Sequence, residues 1–144
     1  MSRYAIGMSL VLLAGCGSEF ALPEGDVQRG REAFVALHCN SCHSVGDVER
    51  VDAGHSPAID KKLGGAVTRV KSYEDLVTSI INPSHRLSLS YPEERSEIAY
   101  ADGRSRMPNY NIVMTVQQLV DLVAFLQPEY QVRLPRSDYP IYYP

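Results

Sequence analysis

Five consecutive residues, Cys39-Asn40-Ser41-Cys42-His43, set two thiols and an imidazole side by side, and any fold of this chain must give them a purpose. Several uses of such a pair can be weighed from the sequence. A thioredoxin-like redox pair sits after a strand, at the start of a helix, in a βαβ unit. Here the pair follows a helical pattern, and no strand pattern is evident. A structural zinc site needs four ligands, usually from two such pairs, yet the chain has three cysteines in all. A disulfide between Cys39 and Cys42 leaves the adjacent His43 unexplained.

The use that accounts for all three side chains is covalent attachment of a c-type haem, whose signature is Cys-x-x-Cys-His. The two thiols add to the vinyl groups along one porphyrin edge, and the histidine beside the second cysteine becomes a fixed axial ligand. The motif therefore predicts one covalent haem c, with Cys39 and Cys42 as attachment points and His43 as a ligand to iron.

The third cysteine has a different context. Residues 1–14, MSRYAIGMSLVLLA, carry one positive charge at Arg3 and then a short apolar run. About eleven apolar residues at ~1.5 Å rise span about 16 Å, roughly half of what a bilayer core requires. A secretory signal fits better than a spanning helix. The run ends in Leu13-Ala14-Gly15-Cys16, which resembles a bacterial lipobox, with small residues suited to a peptidase cleft and a thiol to accept a diacylglycerol. The expected organisation is a lipoprotein signal peptide over 1–15, lipidation at Cys16, a tether over 16–23, a domain over 24–127 and an extended Pro/Tyr-rich tail over 128–144. Export agrees with c-type attachment, which is made outside the cytoplasm. Gly17 after the cysteine, in place of Asp, points to the outer membrane.

Composition narrows the partners. Fourteen Lys and Arg against seventeen Asp and Glu give a net charge of −3, which argues against a nucleic-acid binder, since that would need a concentrated basic face.

Three helical stripes surround the motif. Val27, Gly30, Ala33, Phe34 and Leu37 share one face of a helix that opens at Asp26 and is expected to run to about Cys39-Asn40. Tyr73, Leu76, Val77, Ile80 and Ile81 form a second stripe, with Ser72 and Asp75 at capping-box spacing and Pro83 as its stop. The third runs from Val116 to Leu126, opened by Thr115 and Gln118, with so few polar positions that it should be buried on more than one side. No segment reads as a strand. Residues 45–71 and 84–114 show little periodicity, which a compact domain tolerates when a large apolar cofactor gives its loops a surface to wrap.

With these residues in view, the chain resembles a monohaem class I cytochrome c over about residues 24–127. Gly30-x-x-x-Phe34 is similar to the family's first helix, where glycine lets the closing helix cross closely. Leu122, Phe125 and Leu126 resemble the crossing contacts of that closing helix. The resemblance implies an all-α, cytochrome c-like fold of three to five short helices with long loops around one covalent haem. It also implies that the carbonyl of Pro57, in Ser56-Pro57-Ala58-Ile59, accepts a hydrogen bond from His43 Nδ1. The alternative for Pro57 is a simple turn.

Arg106-Met107-Pro108-Asn109-Tyr110 resembles the family's distal Met-Pro motif, making Met107 the expected sixth ligand. A thioether favours ferrous iron and raises the reduction potential relative to a second imidazole. Met114, immediately before the last helix, and His85, after Pro83, are the alternatives, while His38 and His55 are not favoured. Arg86, Arg104, Arg106 and Tyr110 are candidates for the haem propionates. Glu74-Asp75 and Glu93-Glu94 read as solvated or capping charges.

With both axial positions filled, the expected function is periplasmic electron transfer. The protein would be a membrane-anchored carrier or a cytochrome subunit exchanging electrons with redox protein partners, not an enzyme with its own substrate. The alternatives are a haem enzyme or small-molecule binder with a displaceable Met107, and an assembly subunit that uses the Pro/Tyr tail.

Overall fold

The computed structural model describes residues 21–54, 59–69, 71–87 and 98–133. Cys16, His55, Pro57, Glu93-Glu94 and the tail beyond 133 lie outside them.

Helix α1 spans Val27–Ala36. It begins where the Asp26 carboxylate accepts the Arg29 N–H at 2.7 Å, satisfying one of the N–H groups that every helix start leaves unpaired. Its end comes earlier than the periodicity predicts. Leu37 caps the helix and His38 turns to φ 56°, ψ 28°, the left-handed conformation that closes many helices. Gly30, Ala33 and Phe34 are buried as expected, whereas Val27 is exposed.

Helix α2 spans Tyr73–Ile81 and helix α3 spans Val116–Leu126, both with the predicted capping boxes. The Asp75 N–H donates to Ser72 Oγ at 3.1 Å, and the Gln118 N–H donates to Thr115 Oγ1 at 3.1 Å. Pro128 lies in a 3-10 turn, Gln127–Glu129, that follows α3 directly.

Helices α1 and α3 cross tightly. A Cβ on Gly30 would lie 2.0 Å from the Asp121 carbonyl oxygen and 2.7 Å from Phe125 Cβ, so hydrogen is the only side chain the crossing accepts. Just beyond it Phe34 and Phe125 meet edge to face, centroids 5.8 Å apart. Around this crossing the core gathers Val45, Val48, Leu76, Ile80, Leu122, Val123 and Leu126.

The expectation that no segment forms a strand is corrected. Four strands of three residues each, β1 (His43–Val45), β2 (Lys61–Leu63), β3 (Gly65–Val67) and β4 (Tyr130–Val132), form two parallel two-stranded ribbons. An all-α description is therefore incomplete. Three residues are too few to display a two-residue alternation, and each parallel partner is distant along the chain. Among the described residues, no helix is long and apolar enough to cross a membrane.

Candidate functional site

The attachment motif occupies the junction between α1 and β1. Beyond the left-handed turn at His38, Cys39–Ser41 form a single 3-10 turn and His43 opens β1. Backbone bonds pin each part. The Ser41 N–H donates to the His38 carbonyl at 3.0 Å, the Val51 N–H to that of Asn40 at 2.8 Å, and the Lys61 N–H to that of Cys42 at 2.9 Å. Both Cys39 and Cys42 are free thiols. Cys39 packs against the core, and burial pushes its thiol up to about 11.

His43 is partly buried, and its Nδ1 lies 2.9 Å from the Lys61 carbonyl oxygen. A carbonyl only accepts, so Nδ1 carries the proton and Nε2 keeps a free lone pair. Burial lowers the pKa of the ring, against the opposing pull of the Lys61 hydrogen bond and the Asp60 charge, so the imidazole is neutral at pH 7. The acceptor seen in the structure is the carbonyl of Lys61, while Pro57, whose carbonyl the resemblance implies, lies outside the described residues. The parallel register of β1 and β2 sets His43 opposite Lys61.

Met107 stands on the loop before α3, where its N–H donates to Ser105 Oγ at 3.1 Å. It lines a cavity of about 420 Å³ together with Ile81, Asn82, Tyr100, Arg106 and Asn109. Cys39, Cys42 and His43 are not among the cavity's lining residues. Tyr110 follows on the same loop, and burial, with a smaller contribution from the charges of Cys39 and Cys42, pushes its phenol up to about 12. Met114 packs against the core. His85 is exposed and donates from Nδ1 to the Asn82 carbonyl at 2.8 Å, and His38 is exposed at its turn. Of the arginines, Arg86 pairs with Asp75 at 3.3 Å and Arg104 with Asp102 at 2.7 Å, while Arg106 lies over the Tyr100 ring at 4.7 Å. Among the described residues, no three His, Cys, Asp or Glu side chains converge as a metal site of their own.

A family model described as Cytochrome c matches residues 27–128. The chain belongs to the cytochrome c family. No curated protein and no solved structure matches it significantly. Membership brings haem-based electron transfer and a covalent haem c, and the cytochrome's own residues fit that group. Two unpaired thiols flank a turn, and the adjacent imidazole is neutral with its Nε2 unprotonated. A thioether, Met107, is carried on the loop before α3.

Two features of the structure escape sequence reasoning. The first is the Lys61 carbonyl, which has no side-chain signature. The second is Asp121, almost wholly buried in α3, which accepts the Asp26 N–H at 2.7 Å and a Gln117 Nε2 hydrogen bond at 3.0 Å. Its signal was the lone acid in the apolar run VQQLVDLVAFL.

Proposed function

We propose that this cytochrome is a lipid-anchored periplasmic electron carrier, or the cytochrome subunit of a larger redox complex. One haem would be joined to Cys39 and Cys42, and His43 and Met107 would hold its iron. The observation that carries the reading is the hydrogen bond from His43 Nδ1 to Lys61, which leaves the lone pair of Nε2 free on the residue next to Cys42 in the chain.

Bound in this site, the haem iron supplies a one-electron couple. The chain's contribution is to hold its own donors still. Lys61 fixes the plane and tautomer of His43, and Ser105 and Pro108 stiffen the loop that carries Met107, so little rearranges between oxidation states. With His43 and Met107 both holding the iron, no coordination position would remain for a substrate. Anchoring rests on the Leu13-Ala14-Gly15-Cys16 sequence, and Gly17 favours the outer membrane as its destination.

The cavity beside Met107 favours one second reading, a haem that binds a small molecule when the thioether swings away. Carbon monoxide added to the reduced protein at neutral pH separates the two. The carrier reading predicts an unchanged absorption spectrum. Rapid, stoichiometric carbon monoxide binding would replace it with the second reading.

A further inference from the structure

The family match ends at residue 128, but the described chain continues to 133 and folds back onto the site. Residues 61–67 form one short ribbon with two partners. Its first half, β2, pairs with β1 in the register that sets Lys61 opposite His43. Its second half, β3, pairs with β4, setting Gly65 opposite Tyr130, Ala66 opposite Gln131 and Val67 opposite Val132. The Arg133 N–H extends this ladder with a 2.8 Å bond to the Val67 carbonyl.

Between the halves sits Gly64, at φ +84°. A Cβ there would lie 2.9 Å from both the Cβ and the carbonyl oxygen of Glu129. Gly46, the residue after β1, has φ +54°, and its Cβ would lie 3.1 Å from Glu129 Oε2. Glu129 is therefore seated between the end of β1 and the hinge of the ribbon. Tyr130, half-buried beside it, packs against the core. A two-stranded ribbon is marginal by itself in water, and three residues a side make β1–β2 weaker still.

We propose that residues 129–133 are a clasp that positions the proximal histidine. By holding β3 and the Gly64 hinge, Glu129, Tyr130 and the β4 ladder keep Lys61 in register, and with it the carbonyl that receives the His43 Nδ1 proton. None of these residues is a proposed haem ligand, so they are positioning residues. The inference rests on the reading of His43 as a ligand. A firm Nδ1–H···O bond makes the ring a stronger donor, and a stronger donor favours ferric iron. Loosening the clasp should therefore raise the reduction potential and expose the ring proton to exchange.

The test compares the haem-loaded full chain with chains ended after Pro128 and after Arg133, and with the full-length R133P variant, which lacks the N–H donated to Val67. The readouts are the midpoint potential and the exchange rate of the His43 Nδ1 proton, followed by NMR in the ferrous state. The chain ended after Pro128 should exchange this proton at least tenfold faster and show a higher potential. The chain ended after Arg133 should match the full protein, and R133P should move the same way by a smaller amount. Full-length values in the chain ended at Pro128 would overturn the proposal, as would an equal shift in the chain ended at Arg133. If the shorter chain does not fold, unchanged values in R133P overturn it alone. A low-spin spectrum that survives H43A unaltered would instead refute His43 as a ligand, whatever the clasp variants do.

Discussion

Asp121 of α3 grips Arg29 of α1 through two parallel bonds, Nε to Oδ2 at 2.9 Å and Nη2 to Oδ1 at 3.0 Å. The same carboxylate receives the Asp26 N–H, so a single buried acid fastens the first turn of α1 to the closing helix. Arg29 remains half exposed, which lets water share the burden of its charge.

This arrangement predicts an acid-sensitive joint. The Arg29 hydrogen bonds hold Asp121 at about 2, below its ordinary value of 3.8, and outweigh the opposing effect of burial. A carboxylate lowered on folding contributes its full stability above its unfolded value and loses it as pH falls through the folded one. Denaturant unfolding of the wild type should show this contribution intact above about pH 4 and fading between about 4 and 2. D121N should flatten that part of the profile. D121A should cost about 1–3 kcal/mol at pH 7, because it strands the Asp26 N–H.

The helix crossing predicts a steric limit. G30A places a methyl group 2.0 Å from the Asp121 carbonyl oxygen, and backbone cannot yield as a flexible side chain does. Overpacking of this kind costs about 1–3 kcal/mol or more. Thermal melts of the haem-loaded protein should show a clear fall in Tm, and a wild-type Tm would contradict the crossing.

His38 offers the opposite case. Its left-handed backbone is strained for a side chain with a Cβ, and its imidazole is exposed. H38G should stabilise the protein by about 0.5–1 kcal/mol, since relief of a left-handed strain of about 1–2 kcal/mol is offset in part by the entropy of an unfolded glycine. The absorption spectrum should not change, because this histidine lies outside the proposed ligand set.

The two methionines of the distal segment should separate cleanly. M107A should open a coordination position and make the reduced protein bind carbon monoxide. M114L, a near-isosteric change in a side chain packed on the core, should cost less than about 1.5 kcal/mol and leave the protein closed to carbon monoxide. The reverse pattern would move the ligand to Met114.

The helices were legible because their signals are local. Ser72 with Asp75, and Thr115 with Gln118, sit three residues apart and announce the capping boxes before any tertiary contact is known. Gly30 was legible by its resemblance to a known crossing, and the crossing is where it was expected. The end of α1 was not, because a left-handed histidine carries none of the signal that glycine would.

The strands were hidden for a different reason. His43 pairs with Lys61, and Gly65 with Tyr130, through backbone groups that every residue type except proline offers in full. For the same reason nothing in the side chain of Lys61 marks its carbonyl as the partner of His43. Asp121 was half legible: an acid in an apolar helix demands a partner, but Arg29 is 92 residues away and no spacing rule connects them.

The most direct test of the ligand set is the far-red absorption of the purified, mature ferric protein at neutral pH. Ligation by His43 and Met107 predicts a weak band of the iron–thioether type that disappears in M107A and persists in M114L. A bis-imidazole spectrum without that band, or a high-spin spectrum with a vacant position, would contradict the account.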